Sequence, residues 1–192
     1  MKHGDGITLS HFAALTGIGR AKIRNDIGMK QQPWDESGHV PEKNRRYTTH
    51  QAIALIVADS LAKQGLSKAE ASAAVRAQAS AIELFLDDVD GGELAQHRMI
   101  AAVKNAFWNP LTGTNWEMTL LVGTDTREEL LRIIEADINQ VGRPITVNGE
   151  YRVHVQGPFL ACQSIKMVYH ELRARAQKLD YILGGRLLKA PK

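Results

Sequence analysis

Thr8-Leu9-Ser10-His11-Phe12-Ala13-Ala14-Leu15-Thr16-Gly17-Ile18-Gly19-Arg20-Ala21-Lys22-Ile23-Arg24-Asn25-Asp26-Ile27 is the run of residues from which the fold is read. Leu9, Phe12, Ala13 and Leu15 recur at helical spacing behind Thr8, a residue type that caps a helix start by accepting a backbone N–H. Thr16-Gly17 is the expected stop, and Gly17 and Gly19 permit a sharp reversal into a second short helix from Arg20 to Ile27. Ile23 and Ile27 are its apolar positions. Arg20, Lys22, Arg24 and Asn25 would then point away from the small core, as a helix entering a major groove requires.

Outward from this stretch, Gln31-Gln32-Pro33 ends the second helix, and a polar loop runs through Gly38, Pro41 and Lys43-Asn44-Arg45-Arg46 to Tyr47. A third helix is expected behind Thr48 or Thr49, with Ala52, Leu55, Ile56 and Leu61 on one side and Gly65 at its end. Residues of about 7–67 resemble the DNA-binding domain of MerR-type winged helix-turn-helix regulators. The matching features are Leu15-Thr16-Gly17-Ile18, Ile23-Arg24, Arg45-Arg46-Tyr47-Thr48, and Leu55 followed by Gly65-Leu66-Ser67. Asn25-Asp26 stands where the family usually has aromatic residues, and the loop is longer than usual, so the resemblance is to a distant member. Asp26 would repel phosphate if it faced DNA and is expected to cap or pair locally; Trp34 is expected to pin the loop. Phage excisionases and small terminase subunits share a variant of this fold, and the residues leave that alternative open.

Composition bounds the rest. With 192 residues, 44% of them apolar, the chain can bury one sizeable core or a small domain plus a medium one. No long uncharged apolar run or basic-then-apolar leader is present, which predicts a cytoplasmic protein with no membrane partner. The single cysteine, Cys162, excludes an internal disulfide and a clustered thiolate metal site, and reads as a small buried hydrophobe. Residues 1–66 hold nine Lys/Arg against six Asp/Glu, whereas residues 67–192 hold fifteen of each. The whole excess of +3 therefore lies in the proposed DNA-binding segment.

Beyond it, Ser67 to Leu86 predicts one long helix, opened by Ser67 and Glu70 at capping-box spacing. Asp87-Asp88-Val89-Asp90-Gly91-Gly92 breaks the pattern; it lacks the later acid of a calcium loop and reads as a solvated helix end. Glu93 to Phe107 is expected to be helical, with Leu94, Met99, Ile100 and Val103 inward. Met118 to Val122 reads as a short strand, Thr124 to Asn139 as an amphipathic helix, and Ile145–Val147 with Tyr151–Val155 as a hairpin across a two-residue Asn148-Gly149 turn. A last helix is expected from Gly157-Pro158 to about Leu183. Its Ile165, Tyr169, Leu172, Ala176, Leu179 and Leu183 fall at coiled-coil spacing, and both a dimer seam and packing on the chain's own sheet fit. Lys166, Arg173, Arg175, Lys178, Arg186, Lys189 and Lys192 read as a solvated basic face.

The expected fold class is α+β, mainly α, in three parts: residues 1–66 a MerR-like winged-helix domain, 67–110 linking or dimerisation helices, and 111–192 a small α/β module for dimerisation or for an effector or protein partner. No nucleophile motif, phosphate-cradling loop or paired metal spacing occurs, so neither catalysis nor a cofactor or metal is expected. His154 and His170 form no site on this reading. The expected function is a dimeric, sequence-specific regulator on double-stranded DNA. Arg20, Lys22 and Asn25 would read bases, Arg24, Lys43, Arg45 and Arg46 would supply the phosphate-facing charge, and Tyr47 would brace the wing root. The alternatives are an excisionase-like or packaging accessory, and a protein- or ligand-binding module.

Overall fold

A helix that is apolar on nearly every side has to be surrounded, and Thr49–Lys63 is such a helix: Ala52, Ile53, Ala54, Leu55, Val57, Ala58 and Leu61 are all buried. The computed structural model describes residues 6–36, 45–92, 98–109, 114–124, 132, 144–147 and 151–190. In chain order the helices are α1 (Leu9–Thr16), α2 (Arg20–Gly28), α3 (Thr49–Lys63), α4 (Lys68–Ala77), α5 (Ala79–Asp90) and α6 (Ile165–Lys178). The strands are β1 (Met99–Asn109), β2 (Thr114–Thr124), β3 (Pro144–Val147), β4 (Tyr151–Ser164), β5 (Ile182–Gly184) and β6 (Leu187–Lys189). The described residues form an α+β structure that is mainly helical.

Helix α3 touches α1, α4, α5, α6 and β4. One cluster of buried side chains takes in Ile7, Phe12 and Ile23 near the start, Ile53 and Leu61 in α3, Ile82 and Phe85 in α5, and Tyr169, Leu172 and Leu188 near the end. Its start is fixed by a reciprocal cap, in which Thr48 Oγ1 accepts from the Gln51 N–H at 3.3 Å and Gln51 Oε1 accepts from the Thr48 N–H at 3.0 Å. Ser67 and Glu70 make the same exchange at the head of α4, as their spacing predicts. Thr8 occupies the N-cap of α1 but makes no side-chain cap bond.

The four-stranded antiparallel sheet has the order β2-β1-β4-β3, with Ala101 opposite Cys162 in the centre and a bulge in the register at Ala106/Phe107. Gln64 fastens it to the helices: its side-chain amide donates to the Cys162 carbonyl, and the Cys162 N–H donates to Gln64 Oε1, both at 3.0 Å. Cys162 is half-buried on a strand, and burial raises its thiol pKa.

Several expectations are corrected here. The helix expected over Ser67–Leu86 is two helices, interrupted at Gln78, whose amide donates to the Ala101 carbonyl at 3.2 Å; the second continues through Asp87-Asp88 to Asp90. The helix expected over Glu93–Phe107 is replaced by strand β1 from Met99, while residues 93–97 lie outside the described residues. A short apolar run fits a central strand as well as a buried helix, and pairing with β2 and β4 on both sides decides it. The strand expected at Met118–Val122 extends over Thr114–Thr124. The helix expected over Thr124–Asn139 lies outside the described residues except for Arg132, which is helical and exposed. The hairpin at 145–155 is present, but Val147 pairs with Tyr151, so three residues separate the paired positions rather than two.

The last helix begins only at Ile165, because β4 runs through Gly157-Pro158, and it ends at Lys178. Ile165, Tyr169, Leu172 and Ala176 face the chain's own core, which rules out a coiled-coil seam through them; Leu179 is the C-cap and Leu183 belongs to β5.

Candidate nucleic-acid interface

The reversal between α1 and α2 is built from small, local interactions. Gly17 sits at φ 74°, a left-handed conformation that closes α1, and its N–H donates to the Ala13 carbonyl at 2.9 Å. Thr16 Oγ1 donates to the Phe12 carbonyl at 2.8 Å, and Ile18, next in line, drops into the core. Gly19 is the N-cap of α2. Ile23 is the plug: it is completely buried and faces the core formed with α1 and α3, while Ile27 packs at its margin.

With Ile23 inward, Arg20, Ala21, Lys22, Arg24 and Asn25 lie on the exposed side of α2. Arg20 Nη1 donates to Ser10 Oγ at 3.2 Å, and Asn25 Nδ2 approaches Met29 Sδ at 3.5 Å. Lys22 keeps half its side chain in solvent but is ion-paired to Asp59 of α3, which also takes Lys63 at 2.8 Å. Burial of Asp59 works against its ionisation; hydrogen bonds from Lys22 and Lys63, with their charges, outweigh it and hold the carboxyl below its ordinary value. Asp26, the one acid of α2, turns inward and pairs with Lys68 of α4. It pairs as expected, but across 42 residues rather than locally.

The neck of the following loop is equally well built. Ile7 and Tyr47 form an antiparallel bridge with both N–H···O bonds at 2.9 Å. The Tyr47 ring stacks on Phe12 at 4.3 Å, and Trp34 stands edge-on to both rings, so Trp34 does pin this segment. Glu36 accepts from Arg45 Nη2 at 2.8 Å and from Trp34 Nε1 at 3.4 Å, which ties the two ends of the loop together. Lys43 lies outside the described residues.

Two of the expected contact residues are therefore committed to the protein. Tyr47 is 1% exposed, bridged to Ile7 and stacked on Phe12. Arg45 keeps only 11% of its side chain in solvent and serves Glu36. Arg46 is exposed and lines a separate groove of about 830 Å³ with Trp34, His50, Arg76, Glu83 and Arg186. Arg20, Lys22, Arg24 and Asn25 are all exposed on α2, with Arg20 turned towards Ser10 of α1 and Lys22 towards Asp59 of α3, whereas Arg46 lines this second surface.

No known family matches this chain, and no curated protein matches it. The candidate surface is therefore described by its geometry alone. Asp59, Lys68 and Glu36, which hold Lys22, Asp26 and Arg45, were not singled out from the sequence; the one faint signal was Asp59, an acid inside the apolar run Leu55–Leu61.

Among the described residues, no group of three or more His, Cys, Asp or Glu is arranged to hold a metal ion. The acidic run has other duties: Asp87 and Asp90 meet Arg186, and Asp88 lies 3.6 Å from Arg98. Among the same residues, no helix is long and apolar enough to cross a membrane.

Proposed function

We propose that the chain is a sequence-specific DNA-binding regulator that reads a major groove with α2 and acts as a dimer. The observation that carries this reading is the sorting of charge on α2. Its acid, Asp26, is turned inward and paired with Lys68, so the exposed side carries Arg20, Lys22, Arg24 and Asn25 and no carboxylate. A phosphate backbone rewards that sorting, since every inward acid removes a repulsion and each outward cation releases counterions.

Arg20 and Asn25 are suited to base edges and Arg24 to phosphate, with Lys22 able to exchange Asp59 for a DNA acceptor. Arg45 and Tyr47 position the loop. A nine-residue helix offers little surface, so useful affinity calls for two copies on a pseudo-palindromic site.

Fluorescence-anisotropy titrations across salt, on a site selected from a random pool, test the assignment. Arg24→Ala should weaken selected and random DNA alike and lower the salt slope by about one. Asn25→Ala should cost about 1–3 kcal/mol on the selected site and relax preference at one base pair. Equal effects of the two variants on selected and random DNA would overturn the roles, and failure to enrich any sequence would overturn DNA reading itself.

A further inference from the structure

The turn that aims α2 is held from the far end of the chain. Arg175, on α6, donates through Nη1 to the Thr16 carbonyl, one of the last carbonyls of α1, which have no partner within their own helix. The same guanidinium lies against the bare Cα of Gly17: a Cβ built there would fall 2.8 Å from Arg175 Nη1. On its other side, Nη2 is ion-paired to Glu171, one turn back on α6. The group is therefore fixed on both sides, and its charge sits where a helix C-terminus favours a cation. Helix α6 itself is anchored by Ile165, Val168, Tyr169, Leu172 and Ala176 in the core. A second contact joins the same ends of the chain, the edge-on packing of Tyr181 against His11 of α1 at 5.7 Å.

We infer that Arg175 is a positioning residue for α2, fixing the α1–α2 turn and so the angle at which Arg20, Arg24 and Asn25 are presented. The functional half of this inference rests on the DNA reading above; the structural half does not. A guanidinium suits the place because it can satisfy the carbonyl, meet Glu171 and cover Gly17 with one planar group.

Hydrogen exchange on the full chain without DNA reads the turn directly. Arg175→Ala should speed exchange of the amides from Gly17 to Ile23 by about tenfold or more, with the amides of α3 unchanged. Arg175→Lys, which keeps a cationic donor, should recover part of the protection. Glu171→Gln, an exposed change that leaves the core intact, should give a smaller effect at the same amides and guards against a misfolded Arg175→Ala. Unchanged exchange at the turn, or an equal rise throughout α3 and α6, overturns the inference. In the DNA arm, Arg175→Ala should reduce the ratio of selected to random affinity about tenfold, although it removes no group from the proposed contact face. A retained ratio beside a loosened turn refutes the functional half. Wild-type protein that enriches no sequence refutes the DNA reading alone, because the exchange arm is read without nucleic acid.

Discussion

The Asp26 side chain is 3% exposed, whereas Lys68, its partner, keeps 34% of its own side chain in solvent. Removing the lysine strands a carboxylate in the interior; removing the carboxylate leaves an ammonium that can turn to water. Lys68→Ala is thus expected to cost about 3–5 kcal/mol, and Asp26→Asn about 1–2 kcal/mol. Urea midpoints at constant m-value measure both, and equal costs would show that the pair is not desolvated as described. That Asp26 would pair was expected from the sequence, though as a local contact. Its partner was not, since nothing local marks a lysine 42 residues on. His50 sets a pH dependence. Burial lowers its pKa below the ordinary 6.5, and Arg186 adds to this, while Glu83 and a backbone hydrogen bond at Ala79 oppose it. The unfolded histidine therefore takes up its proton first as pH falls. Stability from this residue is complete above about pH 6.5 and declines below it, down to the folded pKa. His50→Gln should flatten the fall in urea midpoint between about pH 7 and pH 5, and an unaltered slope would remove His50 as its source.

At the level of elements, α1, α2 and α3 were readable because their signals are local: helical apolar repeats, the glycines of the Gly17–Gly19 reversal, and a threonine at the head of α3. Strand β1 was not, because Met99–Val103 carries no period that separates a central strand from a buried helix, and its neighbours β2 and β4 decide the matter. The β5–β6 hairpin was missed for a related reason. Its three-residue strands have little pairing of their own and are held side-on: Arg186 meets Glu83, Asp87 and Asp90 of α5, the Gly185 N–H donates to Tyr169 Oη at 2.9 Å, and Thr49 Oγ1 donates to the Arg186 carbonyl at 3.2 Å. Arg186→Ala should release this strap locally. Amides of Leu187 to Lys189 are expected to exchange faster, while global stability changes by about 1 kcal/mol or less, as for other partly exposed ion pairs. A global loss several times larger, with no local acceleration, would mean that the guanidinium supports the core rather than the hairpin.

Among the described residues, one buried cluster joins side chains from both sides of residue 66. All the excess cation lies in residues 1–66, which made that segment look self-contained. Yet α3 is buried on sides that α1 and α2 do not reach: α4, α5, α6 and β4 also lie against it, and Ile53, Ala54 and Val57 are wholly buried. A fragment of residues 1–66 would expose those faces and lose Lys68 from Asp26 and Arg175 from Thr16. A chain of that length already buries a smaller share of its surface than a larger one, which leaves little stability to spare. The fragment is therefore expected to show no cooperative thermal transition and no dispersed amide spectrum, while the full chain shows both. Extending the fragment to residue 92 restores α4 and α5 and the Lys68 pair, but not α6, and is expected to recover partial order with a fast-exchanging α1–α2 turn. A 1–66 fragment that unfolds cooperatively by circular dichroism would show that the later helices and sheet merely cover a domain that already stands by itself.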